Sequence, residues 1–200
     1  AGYMVITGAG GGIMAAGNLG AGREQSFGLN ISLPFEQSAN ETIDGDRKLI
    51  EFRYFFTRKL FFVKESRALV YLPGGFGTQD ETFESLTLTQ TGRDVPEPVV
   101  LLDVPGGSYW KEWFHFVESQ LLKKGYISQE DRSLFIITDD VDEACDEIHN
   151  FYRVYHSSRY VEKGEKLVIR LNQSLSEGTI ENLNQEFQDI LVSGPIEQRE

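Results

Sequence analysis

Ala68-Leu69-Val70-Tyr71-Leu72-Pro73-Gly74-Gly75-Phe76-Gly77-Thr78-Gln79-Asp80-Glu81 is the stretch that decides the fold. Its five leading apolar residues predict a short buried strand over 68–72, which Pro73 stops by removing a backbone donor. Three glycines then let the main chain turn sharply and approach a ligand without Cβ clashes. Over 79–91 the spacing of Phe83, Leu86 and Leu88 predicts a helix. Its first turn leaves free N–H groups and a positive dipole end at the loop, which together favour an anion such as phosphate.

A second unit of the same kind lies upstream. Tyr3-Met4-Val5-Ile6-Thr7 reads as a strand, Gly8-Ala9-Gly10-Gly11-Gly12 as a turn, and Ile13-Met14-Ala15-Ala16 as the start of a helix. Two strand–glycine–helix units predict a parallel sheet whose strand ends share one ligand crevice. Neither loop fits the commoner nucleotide fingerprints. The dinucleotide pattern wants glycine where Ile13 stands, and no acidic residue ends a strand about twenty residues on. The Walker pattern wants a lysine that is absent between Gly77 and Thr78. A dehydrogenase or an ATPase is therefore disfavoured.

Alternation continues along the chain. Strands are expected at 3–7, 27–31, 48–53, 68–72, 99–102 and 134–137, with helices near 12–21, 55–66, 79–91, 109–123 and 140–154. Strands separated by helix-length segments imply right-handed crossovers, hence an α/β fold: a Rossmann-like open parallel sheet with helices on both faces. We divide the chain into a nucleotide-binding domain over 1–155 and a strand–helix appendage over 156–200, with a strand at 166–171 and a helix at 177–191. The chain opens two residues before its first strand, as a sequence that has lost upstream residues would.

Composition narrows the function. A net charge of −12 argues against a general binder of nucleic acid or of anionic membranes. No apolar run approaches the roughly 20 residues of a spanning helix. The single cysteine, Cys145, excludes an internal disulfide and suits a reducing cytosol, so a cytoplasmic location is expected. His115, His149 and His156 are scattered without metal-ligand spacing, and no metal site is expected.

Charge is concentrated near the second loop. Arg53, Arg58, Lys59, Lys64 and Arg67 fall within fifteen positions, which suits a small anionic ligand or, equally simply, a solvated helix face. Arg58 and Lys59 sit inside Phe55-Phe56-Thr57-Arg58-Lys59-Leu60-Phe61-Phe62, so apolar a helix that at least one of the pair should point into a polar crevice. Thr78 and Glu81 admit two readings. Thr-x-x-Glu is a capping box; alternatively Glu81, with Asp80 and Glu84 beside it, is a carboxylate at the lip of the loop. There it could stabilise an oxocarbenium-like transition state of glycosidic cleavage. Leu33-Pro34-Phe35-Glu36-Gln37 and Asn40 follow a strand at the same sheet edge and are either ligand contacts or plain surface loop.

Arg58-Lys59 followed by Pro73-Gly74-Gly75-Phe76-Gly77-Thr78-Gln79-Asp80-Glu81 resembles the LOG (LONELY GUY) family, marked by an Arg-Lys pair before P-G-G-x-G-T-x-x-E. Thr7-Gly8-Ala9-Gly10-Gly11-Gly12-Ile13-Met14 and Gly28-Leu29-Asn30-Ile31-Ser32-Leu33-Pro34 look like its first loop and next strand, so the resemblance covers about 1–150. It implies a homodimer, in keeping with the aromatic load of Phe55, Phe56, Phe61 and Phe62. It further implies a phosphoribohydrolase that cleaves the N-glycosidic bond of a nucleoside 5′-monophosphate without metal or redox cofactor. Carried over, Arg58 and Glu81 match the catalytic pair. Gly74, Gly75, Gly77 and Thr78 match the phosphate loop, and Gly10, Gly11, Gly12, Met14 and Lys59 join them as nucleotide-binding candidates. The chain departs from the family in lacking its first β-α unit and in carrying 156–200. The lysine decarboxylase label often given to such proteins finds no support, since no histidine here precedes lysine as a cofactor-anchoring pair would. The rival readings are a binding protein for a nucleotide or molybdenum cofactor, and a regulatory scaffold.

Overall fold

The computed structural model describes residues 2–32, 38–162 and 166–199. It divides into two compact units, Ala1–Ile148 and His149–Glu200.

The first unit is built from two parallel three-stranded sheets flanked by helices, a Rossmann-like arrangement. One sheet has the order β1 (Val5–Thr7), β2 (Ser26–Ile31), β3 (Leu49–Phe52); the other has β4 (Leu69–Tyr71), β5 (Val99–Leu102), β6 (Ile136–Thr138). The expected open sheet is thus realised as two hydrogen-bonded ladders rather than one. The middle strands carry the burial. Gly28, Leu29, Asn30 and Ile31 of β2 and Val99, Val100 and Leu101 of β5 are buried, as strands covered on both faces should be.

Helix α1 (Ile13–Ala21) joins β1 to β2, α2 (Phe55–Glu65) joins the two sheets, and α3 (Phe76–Gln90) joins β4 to β5. Helix α4 (Tyr109–Phe116) continues as a π-helical turn over Val117–Leu122 before β6. Helix α5 (Val141–Val154) runs across the division between the units. The larger core sits under the second sheet, where Leu69, Val99 and Leu101 pack with Trp110, Trp113 and Val117. Trp110 and Trp113 meet edge-on, their ring centroids 5.7 Å apart.

Three elements differ from the sequence reading. Helix α3 starts at Phe76, three residues early, because Gly75 in extended conformation serves as N-cap without any side-chain cap bond. Thr78 is therefore inside the first turn, and the capping-box reading of Thr78 and Glu81 is overturned. The strand expected at 134–137 forms at Ile136–Thr138, since Glu130–Leu134 winds into a 3₁₀ turn. In the second unit the foreseen strand β8 (Lys166–Leu171) pairs antiparallel with β7 (Tyr155–Val161), which was not foreseen. Helix α6 (Glu177–Glu186) ends five residues short of the expected 191 and is followed by a 3₁₀ turn over Gln188–Ile190.

Candidate active site

The first glycine loop leaves β1 and is tied down from behind by a polar network. Thr7 Oγ1 accepts from the Ala9 amide at 3.0 Å and donates to Asn18 Oδ1 at 2.7 Å. Asn40 Nδ2 donates to that same Asn18 oxygen at 2.9 Å and to the Gly10 carbonyl at 3.2 Å, while the Asn40 amide donates to Ala9 O at 2.7 Å. Asn18 is fully buried in α1, where only such pairing makes an amide tolerable. Ala9 holds a left-handed φ of 60°, so the loop is shaped by its contacts and not by glycine freedom alone. Gly10 is buried, Gly11 and Gly12 are exposed, and Met14 is half-buried. The neighbouring candidates 33–37 lie outside the described residues.

Arg58 reaches this loop from α2. Its Nε donates to the Leu29 carbonyl of β2 at 2.8 Å, and its guanidinium lies 5.3 Å from the centre of the Phe62 ring. A Cβ built on Gly8 would stand 2.3 Å from Arg58 Nη2 and 2.6 Å from Met14 Sδ. Glycine at position 8 is thus a steric requirement of the arginine's position. Burial lowers the Arg58 pKa, and the negative charge of Glu81 works in the opposite direction. Burial pushes the Glu81 carboxyl up, the Arg58 and Lys59 charges pull it back, and Asp80 and Glu84 add to the rise. Arg58 and Glu81, 23 positions apart in sequence, therefore feel each other's charge in a half-buried setting.

The second loop presents Gly74, Gly75 and Gly77 at the surface with Thr78 half-buried behind them. A Cβ on Gly74 would meet Thr78 Oγ1 at 2.2 Å, so the threonine hydroxyl packs on the Gly74 backbone where a capping residue would have faced the helix end. With no side-chain cap on Gly75 among the described residues, the first amides of α3 are left to other acceptors. Lys59 takes a different direction from Arg58. Its ammonium lies 2.6 Å from Asp80 Oδ2 and 3.1 Å from Glu84 Oε2, which bridges α2 to α3. Burial works against that ammonium, but the two carboxylates outweigh it and raise its pKa.

Sequence reasoning missed the residues that hold α3 in place. Tyr71 of β4 donates its hydroxyl to the Glu81 carbonyl at 3.1 Å and lies 3.2 Å from Ser85 Oγ. Tyr109 at the start of α4 donates to the Gly74 carbonyl at 2.6 Å. The only available signal was a tyrosine at a strand end, too common to single out.

Among the described residues, no group of three or more His, Cys, Asp or Glu could hold a metal ion, and no helix is long and apolar enough to cross a membrane. Helix α2 has no buried residue: its N-cap Tyr54 and its Phe55, Phe56 and Leu60 are each more than half exposed. The expectation that so apolar a helix has little solvent face is not met.

A family model described as "Possible lysine decarboxylase" matches residues 12–148. The probable cytokinin riboside 5′-monophosphate phosphoribohydrolase LOGL3 of Oryza sativa subsp. japonica is 33% identical over 99 residues, 50% of this chain and 44% of the relative. The cytokinin riboside 5′-monophosphate phosphoribohydrolase LOG1 of Arabidopsis thaliana is 31% identical over 94 residues, 47% of this chain and 42% of the relative. The chain thus spans less than half the length of these curated relatives. The family model covers well over half of the 200 residues, including the second glycine loop and Gly12 of the first, and on that match the chain belongs to the LOG family.

Proposed function

We propose that the protein is a phosphoribohydrolase, converting a nucleoside 5′-monophosphate and water to a free base and ribose 5-phosphate. The observation that carries the reading is the bridge of Lys59 to Asp80 and Glu84, which sets α2, with Arg58 anchored on β2 against Gly8, beside the turn of α3 that carries Glu81. The 5′-phosphate sits on the amides of Gly74, Gly75, Gly77 and Thr78, at the positive end of α3. The first loop, with Gly10, Gly11, Gly12 and Met14, lines the nucleotide opposite.

As the C1′–N bond breaks, its electron pair leaves with the base and positive charge builds on the ribosyl ring. Glu81 stabilises that charge and orients the water that adds at C1′, as carboxylates do in glycosidic cleavage. A carboxyl pushed up by burial and pulled back by the Arg58 charge suits a group that must both carry charge and accept a proton. Arg58 positions Glu81 and the ribose. Lys59 acts through Asp80 and Glu84, whose charges it neutralises beside Glu81.

The test is base release from a panel of nucleoside 5′-monophosphates by wild type and by Glu81→Gln. Glutamine keeps the shape and removes the charge, so the rate should fall at least about 100-fold. The thermal midpoint should hold or rise, because Glu81 does not cap α3 and its charge is partly buried. A Glu81→Gln protein releasing base at the wild-type rate would sink the assignment. We also propose a homodimer, whose interface takes the exposed aromatic face of α2 out of water. Light scattering at micromolar concentration should give twice the chain mass, and Phe56→Glu should halve it; a monomeric wild type would refute this.

A further inference from the structure

We infer that Tyr109 and Gln79 are positioning residues that hold the second glycine loop in its anion-accepting shape. The inference rests on the reading above, in which the amides of 74–78 take the phosphate. One phenol hydroxyl makes both links: Tyr109 Oη donates to the Gly74 carbonyl at 2.6 Å and accepts from Gln79 Nε2 at 2.6 Å. The roles are fixed by chemistry, since a carbonyl can only accept and an amide nitrogen only donate.

The loop needs such a tie. Gly74 and Gly75, ahead of α3, are both exposed, as are Phe76 and Gly77 in its first turn, and glycine has the most backbone freedom to lose on ordering. A peptide unit presents its oxygen on one side and its nitrogen on the other. Turning the Gly74 carbonyl toward Tyr109 keeps that oxygen, which would repel an anion, away from the phosphate and leaves the following amides facing it.

The anchor at the other end is rigid. Tyr109 opens α4 and packs edge-on against Trp110 at 4.8 Å. Trp110 is fully buried, with Nε1 donating to Leu102 O and its amide to Asp103 Oδ2, each at 3.2 Å. Gly107 leaves the space that the Asp103 carboxylate occupies, since a Cβ there would stand 2.2 Å from Oδ1. Consecutive residues of α3 thus serve different partners, Gln79 bonding Tyr109 and Asp80 pairing with Lys59.

Tyr109→Phe removes the hydroxyl and keeps the ring on Trp110. Phosphate contacts bind substrate and transition state alike, so KM for the nucleoside monophosphate should rise about tenfold with kcat within about twofold of wild type. Affinity for ribose 5-phosphate, measured by calorimetry, should fall by about the same factor while the thermal midpoint barely moves. Gln79→Met should cost less, and adding it to Tyr109→Phe should cost nothing more, because both act through one hydroxyl. Unchanged KM and unchanged ribose 5-phosphate affinity in Tyr109→Phe would overturn the inference, as would a fall in thermal midpoint without either change. If wild type binds ribose 5-phosphate but releases no base, the hydrolase reading fails, and a tenfold loss of affinity in Tyr109→Phe still supports the positioning role. If wild type does not bind ribose 5-phosphate, the inference falls with the anion site.

Discussion

Gly8→Ala is a small change whose effect should be felt through Arg58. The new Cβ would lie 2.3 Å from Arg58 Nη2 and 2.6 Å from Met14 Sδ, whereas ordinary contact begins at 3.4 Å. The guanidinium must then retreat by about 3.4 − 2.3 = 1.1 Å and the thioether by about 3.4 − 2.6 = 0.8 Å. Both are far ends of flexible side chains, and the backbone at Gly8 is not in the left-handed region, so the fold survives. A misplacement of about 1 Å in a catalytic group costs on the order of 100-fold in rate. We therefore expect kcat/KM for nucleoside monophosphate cleavage to drop about 100-fold with a thermal midpoint close to wild type. The side-chain Nε–H signal of Arg58, bonded to Leu29 O, should shift in the NMR spectrum and report the displacement without any turnover. Gly20→Ala is the control, since no atom lies within 4 Å of that Cβ and alanine suits a helix interior. A Gly8→Ala protein with wild-type kcat/KM and an unmoved Arg58 signal would refute the reasoning.

Lys59→Met should move the acid limb of the pH–rate profile to higher pH. It removes a positive charge that lowers the Glu81 pKa and frees Asp80 and Glu84, which raise it; a limb that stays put or moves to lower pH counts against this coupling. Glu97, between Pro96 and Pro98 ahead of β5, is pushed up to about 8 by burial and by Asp94, against the pull of Arg67. Between its ordinary 4.5 and 8 the folded chain holds a proton that the unfolded chain releases, so stability falls as pH rises through that window and levels off above it. Glu97→Gln removes this dependence, so its advantage in thermal midpoint over wild type should grow from pH 5 to pH 8.5; a constant difference refutes it.

What the sequence revealed and what it hid follow from how far apart the interacting groups lie. The strand β5 was legible because a buried parallel strand is a short apolar run, and β4 because its apolar run stops at Pro73, although only Leu69 of β4 is buried. The glycine loops were legible because glycine in a row after a strand has few other uses. The start of α3 was misread because Thr78-Gln79-Asp80-Glu81 imitates a capping box, while the actual N-cap, Gly75, carries no side chain to announce itself. β7 stayed hidden because its register shifts between Tyr155 and Ser157, which breaks the alternation that would mark a strand. The ties that shape the two loops were beyond reach. Asn40 bonds to Ala9 and Gly10 about thirty positions away, and Tyr109 to Gly74 across 35. An asparagine in a loop or a tyrosine opening a helix gives no local hint of such a partner.

The pair Arg58-Lys59 shows how one helix can serve two purposes with adjacent residues. Successive side chains on a helix point about 100° apart, so neighbours in sequence set out in different directions. In α2 that divergence sends Arg58 to the Leu29 carbonyl and the first glycine loop, and Lys59 to the two carboxylates on α3. Lys59 offsets the negative charges one residue before and one turn after Glu81, and burial of Glu81 would otherwise be reinforced by both. Arg58 can then act on Glu81 as a cation whose own position is fixed by β2 rather than by the carboxylate it influences. Arg58 and Lys59 are half-buried, while Phe55, Phe56 and Leu60 of the same helix are each more than half exposed. Half-buried cations beside exposed aromatic rings depart from the usual soluble pattern. It is the arrangement expected of an element that both completes a polar site and meets another surface.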